Sequence, residues 1–102
     1  MAREYVIRVT QDASSQPVEH RVAGLPVSMG REAGNDIQVA SQFVSSSHAK
    51  IEEIKGRVFV RDLGSRNGVF VNSVRVERRA LRHGDLLTIG ETQFRFVEAM
   101  AH

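Results

Sequence analysis

Turn signals interrupt this sequence every few residues, and the pieces between them have strand character. Ten short runs follow one another: EYVIRV, PVEHRV, LPVSMG, DIQV, HAKIEEI, RVFVRDL, GVFVN, VRV, DLLTIG and TQFRFVEA. Most of the eight glycines fall at the ends of these runs, where tight turns and positive backbone angles are needed. In EYVIRV, Tyr5, Ile7 and Val9 share a face; in PVEHRV, Val18 and Val22 oppose Glu19 and Arg21. The polar stretch TQDASSQP between them reads as a loop. HAKIEEIKG has a helix-compatible composition, yet it is short, and Ala49 and Ile51 fit strand spacing. No segment gives a long amphipathic helix. Such a chain is all-β, a sandwich or a barrel, and the pattern alone does not choose between them. Leu25, Ile37, Val60, Leu63, Phe70, Leu86, Ile89, Phe94 and Phe96 are the core candidates. The ends, MARE and AMAH, are expected to fray.

Size limits what such a fold can do. A chain of 102 residues suits one domain, taken here as residues 1–102 with its body at 5–97. A domain this small buries roughly 60–68% of its unfolded surface, enough for one core with little room for a deep cleft. There is no cysteine, so disulfides and thiolate metal sites are excluded; this fits a reducing compartment, and the cytoplasm is the expected location. The start has no signal-peptide pattern, and no run of ~18 apolar residues occurs. The net charge of +2 does not by itself imply nucleic acid. Twelve of the fourteen basic residues are arginine, whose planar fork suits carboxylate or phosphate.

Four pieces stand out from the strand pattern: MGRE at 29–32, VSSSHA at 44–49, DLGSRNG at 62–68 and VFVN at 69–72. All lie at strand ends or loops, where a rigid scaffold can present binding groups. Gly30 and Arg31 give a free backbone step followed by a five-donor fork. Ser45, Ser46 and Ser47 are short donors, of which alternation lets only one or two face the same ligand. Asn67 carries a donor and an acceptor, so it can hold a peptide main chain at two points. Arg66 adds a second guanidinium, and Gly68 completes an Asn-Gly turn signal. Asp62 reads as a charge partner or turn acceptor, and Gly64 and Gly68 as residues serving backbone geometry. The set is rich in donors and poor in carboxylates, which points to an anion, phosphate first.

Catalysis fits poorly. A serine hydrolase needs a positioned base with an orienting third group, and no G-x-S-x-G elbow is present. Histidines 20, 48, 83 and 102 lack zinc spacing, so no metal or cofactor is expected. His48 precedes a strand containing Ala49 and Ile51, and a satisfied, half-buried imidazole is its expected role. The basic segment RVERRALRHGD at 75–85 reads as a solvated turn; no aromatic residues interleave with it, as single-strand nucleic-acid binding would require.

Taken in order, Gly30-Arg31, Ser45-Ser46-Ser47-His48, Asp62-Leu63-Gly64-Ser65-Arg66-Asn67-Gly68 and Val71-Asn72 closely resemble the forkhead-associated (FHA) phosphopeptide-binding domain. The resemblance spans residues 5–97. It implies an FHA/SMAD-like sandwich of two β-sheets, about eleven short strands in all, with loops at one end that bind phosphothreonine in short peptides. It assigns Arg31 and Ser45 to the phosphate, with Ser46 as a further donor. Arg66 stands where many members have threonine and others arginine, so it either contacts phosphate or lies across the peptide; it is placed with the phosphate. Asn67 matches the residue holding the peptide main chain, and Asn72 a second polar position near the peptide. His48 matches a histidine that braces the loops, with Gly30, Asp62, Gly64 and Gly68 as structural residues. Val69 stands where threonine is common, a change that concerns loop packing. The implied activity is non-catalytic, phosphothreonine-dependent binding of a protein or peptide in kinase-linked signalling or assembly, with neither nucleic acid nor membrane as partner. Members commonly stand beside other modules in longer chains. The alternatives are a phosphate-independent interaction module of the same fold and, more distantly, a small hydrolase or nucleic-acid-binding domain.

Overall fold

The computed structural model describes residues 3–10, 18–22 and 24–100, with side-chain surroundings for residues 24–98. Among these, eleven strands and no helix are found. They are β1 (Arg3–Thr10), β2 (Val18–Val22), β3 (Val27–Gly30), β4 (Ile37–Gln38), β5 (Ala49–Ile54), β6 (Arg57–Asp62), β7 (Val69–Val71), β8 (Val74–Val76), β9 (Arg78–Ala80), β10 (Leu86–Ile89) and β11 (Thr92–Met100). One sheet has the order β2-β1-β11-β10-β7-β8 and the other β4-β3-β5-β6-β9. The fold is therefore the two-sheet sandwich.

Alternation creates the core between the sheets. Val69, Val71, Leu87, Ile89, Phe94 and Phe96 point inward from the first sheet; Val27, Met29, Ala49, Ile51, Val58 and Val60 do so from the second. A slip of one residue in any of these strands would move its apolar set to solvent. Full burial of a Phe side chain such as Phe94 or Phe96 is worth roughly 1.5–3 kcal/mol. Ile37, Val60, Ile89, Phe94 and Phe96 are core residues as expected, and Leu25 packs half-buried against them. Three candidates are corrected. Leu63 is 37% exposed in the loop after β6, and Phe70 and Leu86 are only half-buried. Period two gives the inward positions to their neighbours Val69, Val71 and Leu87.

Two further expectations change. Part of the basic segment is an edge strand: β9 pairs with β6 through Phe59↔Ala80, Val60↔Arg79 and Arg61↔Arg78. Its sequence, RRA, has no apolar alternation. The β6 backbone and the Phe59 ring, 4.6 Å from Arg78 Cζ, hold it in place. The ends also extend further into the sheet than expected, since Arg3 pairs with Met100 and Glu4 with Ala99. The faces assigned to Tyr5, Ile7, Val9, Val18, Glu19, Arg21 and Val22 lie outside the described side chains.

Antiparallel pairing decides where the distinctive residues go. β3 ends, β5 begins and β6 ends on the same side of one sheet. β7 begins and β10 ends together in the other. The 31–36, 39–48 and 63–68 connections consequently emerge at one pole of the sandwich.

Candidate functional site

Arg31 is fixed by its backbone. Its N–H donates to Ser45 O at 3.0 Å, and its carbonyl accepts from Gln38 Nε2 at 3.1 Å. The next amide, of Glu32, reaches Ser46 O at 3.3 Å. Asn35 closes this corner, with Nδ2 donating to Ser46 O at 2.7 Å and Glu32 O at 2.9 Å. Gly30 permits the approach. A Cβ there would collide with the Ser46 carbonyl oxygen and lie 2.7 Å from Asn35 Nδ2. The Arg31 side chain is exposed and has no carboxylate partner among the described residues.

The serine run divides its work. Ser45 Oγ accepts the Arg66 N–H at 3.1 Å, which leaves the hydroxyl proton available to donate elsewhere. The Ser46 carbonyl carries the Asn35 and Glu32 bonds, while its hydroxyl has no partner among the described residues. Ser47 is exposed.

His48 is fully buried, beyond the half-burial expected. Its Nδ1 accepts from Ser45 N at 3.1 Å, and an amide can only donate. The proton is therefore on Nε2, which donates to Gly68 O at 2.8 Å. One imidazole thus ties the serine loop to the 63–68 loop, and no ring nitrogen remains to serve as a base. The backbone adds to this link, with His48 N on Met29 O at 2.9 Å and Leu63 N on His48 O at 3.0 Å.

The 62–68 loop is shaped by its own short side chains. Asp62 Oδ1 accepts from Ser65 N at 2.7 Å, and Ser65 Oγ accepts from Gly68 N at 3.0 Å. Asp62 is thus the turn acceptor. Gly64 and Gly68 have φ of 79° and 88°, a region other residues enter only with strain. Asn67 is anchored by Nδ2 donating to Phe43 O at 2.7 Å; its Oδ1 and second N–H have no partner among the described residues. Arg66 is exposed and likewise unpaired. Arg31 and Arg66 are thus both tied to Ser45 through their backbone amides, Ser45 keeps a hydroxyl proton to donate, and Asn67 keeps half of its amide. Such a set can hold a multi-oxygen anion and the main chain beside it. Among the described residues, no group of three or more His, Asp or Glu side chains is placed to hold a metal ion. A neighbouring cleft lined by Arg61, Asp62, Gly64, Glu77 and Arg78 carries both signs of charge and does not compete as an anion site.

Asn72 is not brought to this pole. It occupies the β7–β8 turn with φ of 49°, at the far end of β7, about 13 Å along the strand from Gly68. Its Nδ2 donates to Asp85 Oδ1 at 3.0 Å, and its Oδ1 accepts from Leu86 N at 3.0 Å. The expected peptide contact is therefore corrected to a structural link, because both amide groups already have partners in the fold. Sequence reading also missed Asn35, Ser65 and the Phe43 carbonyl. The Asn-Asp pair in EAGND and the serine in DLGSRNG are turn signals that mark the first two; nothing local marks the third. Val69 is buried in the core, in keeping with a packing role.

A β-sandwich that gathers donor-rich, carboxylate-poor loops at one pole defines a class of anion-binding interaction modules. A family model, the FHA domain, matches residues 27–90, more than half of the sequence, and the chain belongs to this family. Rv1747, an ABC transporter ATP-binding/permease protein of Mycobacterium tuberculosis, is 38% identical over 72 residues, 71% of this chain and 8% of that protein. The chain thus spans only a small part of the length of that curated relative. The crystal structure of the FHA domain of CT664 from Chlamydia trachomatis superposes with a TM-score of 0.86 at 25% identity, covering 94% of this chain and 98% of that one. Mycobacterium tuberculosis EmbR, in complex with a low-affinity phosphopeptide, gives 0.80 at 28% identity over 95% of this chain and 25% of that one.

Proposed function

We propose that this chain is a non-catalytic module that binds threonine-phosphorylated proteins or peptides through the pole holding Arg31, Ser45, Ser46, Arg66 and Asn67. One observation carries the reading: Ser45 Oγ is held as an acceptor by Arg66 N–H, so its proton is free to donate, and neither Arg31, bound through its amide to Ser45 O, nor Arg66 has a carboxylate partner among the described residues. A phosphoryl group brings roughly −1.5 to −2 charges and three acceptor oxygens at neutral pH, which matches that donor set. Asn67, anchored by the Phe43 carbonyl, keeps an acceptor and a donor for the peptide main chain. The phosphopeptide held by EmbR supports carrying the ligand class to this chain. No step of bond making is involved; a kinase supplies the phosphoryl group and binding is an equilibrium.

The module forms one domain with its body at residues 5–97 and works in kinase-linked signalling or assembly beside other domains. The absence of cysteine supports a reducing compartment, the cytoplasm. No helix among the described residues is long and apolar enough to cross a membrane.

Calorimetric titration with one peptide in its phosphothreonine, phosphoserine and unphosphorylated forms tests the proposal. The expected order is phosphothreonine first, with the unphosphorylated form at least tenfold weaker. Equal affinity for phosphorylated and unphosphorylated forms defeats it in favour of phosphate-independent binding.

A further inference from the structure

The basic segment at 75–85 does not form one patch, because the fold sends its cations to different places. Arg78 lies over Phe59. His83 is at the opposite pole, where Glu98 N donates to its Nδ1 at 3.2 Å. Arg75 reaches the loop that carries Asn67. It stands across from Phe70 in the β7–β8 pair, and its side chain runs back diagonally to Gly68. A Cβ on Gly68 would lie 2.6 Å from Arg75 Nε, 3.0 Å from Cζ and 3.2 Å from Nη2. The guanidinium therefore rests against the bare Cα of that glycine.

This seat is rigid. The Gly68 N–H is held by Ser65 Oγ, and its carbonyl accepts from His48 Nε2. The seat also adjoins Asn67. Arg75 is exposed, and no carboxylate pairs with it among the described residues. A guanidinium packed against a glycine beside a peptide clamp, with no carboxylate partner among the described residues, is arranged to meet an anion from outside.

We propose that Arg75 forms a second anion subsite, which takes the carboxylate of an Asp or Glu on the same peptide. The inference rests on the phosphothreonine reading above and adds a sequence preference to it. Its location follows from the loop. Arg66 N–H meets Ser45 Oγ, and Gly68 lies two residues further on along a bent loop, at most about 7 Å away. An extended peptide covers that distance in two or three residues. The acidic residue is therefore separated from the phosphothreonine by one or two residues, on the side that passes Asn67 toward Gly68.

The test uses a phosphothreonine peptide with alanine at every flanking position, and a set in which each flank within four residues is changed in turn to Glu. Affinities are measured for the wild-type chain, Arg75→Ala, Arg75→Gln and Arg75→Glu. The wild type is expected to favour Glu at one position by roughly fivefold, the upper range for an exposed ion pair whose cation is already placed. Arg75→Ala removes that preference and keeps the all-alanine phosphopeptide within about twofold. Arg75→Glu reverses the preference, so that Glu at the same position weakens binding relative to alanine. Arg75→Gln retains the stem over Gly68, so it reads the charge even if truncation to alanine unsettles the loop. An acidic preference that survives in Arg75→Gln overturns the proposal. So does an equal loss for every peptide, which marks Arg75 as loop support. Clear phosphate dependence with no flanking preference in the wild type defeats the subsite alone. Equal binding of phosphorylated and unphosphorylated peptides defeats the phosphothreonine reading and the subsite with it.

Discussion

Replacing His48 by alanine is expected to destabilise the domain by about 3–5 kcal/mol. The imidazole is fully buried and satisfies two backbone groups, Ser45 N–H at 3.1 Å and Gly68 C=O at 2.8 Å. Gly68 is itself buried, so its carbonyl loses its side-chain partner without access to water, at a cost of about 1–3 kcal/mol. Ser45 is half-buried, and its amide contributes nearer the lower end of that range. The lost ring contacts and the cavity account for the remainder. Total stabilities are about 5–15 kcal/mol, so the variant is folded but marginal. Urea unfolding with a two-state fit measures the loss, and hydrogen exchange locates it. The amides of Ser45 and Arg66 should exchange faster, because the first loses its acceptor and the second depends on the Ser45 hydroxyl. Two conservative variants divide the effect. Asn at 48 places an oxygen near Nδ1 and can retain the Ser45 bond; Gln places its amide nitrogen near Nε2 and can retain the Gly68 bond. Each should recover part of the loss. A His48→Ala variant of wild-type stability with phosphopeptide binding abolished would refute the brace and favour direct ligand contact.

Four other outcomes follow from the same geometry. Arg31→Ala should leave thermal unfolding unchanged and weaken a phosphothreonine peptide about 30-fold or more, since losing a desolvated charge contact costs roughly 2–5 kcal/mol; titration at two salt concentrations checks it. For Arg66, a double-mutant cycle between Arg66→Ala and removal of the phosphate should give a nonzero coupling, with Arg66→Lys recovering only part because the planar fork is lost. Gly30→Ala should lower stability by roughly 1–3 kcal/mol and weaken the peptide as well, because the new Cβ must push the Ser46 carbonyl aside; a combined melt and titration reads both. By contrast, Asn72→Ala should reduce stability by about 1–3 kcal/mol through its broken links to Asp85 and Leu86, with peptide affinity kept within about twofold, measured in the same pair of assays.

The strands were legible because their signals are local. Val58 and Val60 alternate with Phe59 and Arg61, and Thr92, Phe94 and Phe96 with Gln93 and Arg95; the burial follows that phase. Alternation says less where a strand is held by its neighbour. β9 has only Arg78, Arg79 and Ala80, and its place comes from pairing with β6. The phase also explains the errors among core candidates: Phe70 and Leu86 are apolar residues on the outward step of strands whose inward step is already filled.

Local patterns suffice for the all-β class, the order of the loop pieces and the donor-rich chemistry of Arg31, Ser45, Arg66 and Asn67. Strand period, turn residues and side-chain inventory are properties of a few neighbouring positions, and they survive without knowledge of the rest of the chain. Which of these groups meet depends on contacts between distant segments. Ser45 Oγ reaches Arg66 N across 21 positions, His48 reaches Gly68 across 20, and Asn67 reaches Phe43 across 24. These contacts depend on which strand ends emerge at one pole. The same register carried Asn72 to the far end of β7, spent its amide on Asp85 and Leu86, and laid Arg75 against Gly68. No local pattern encodes those outcomes, because each depends on pairing between segments that the chain itself keeps apart.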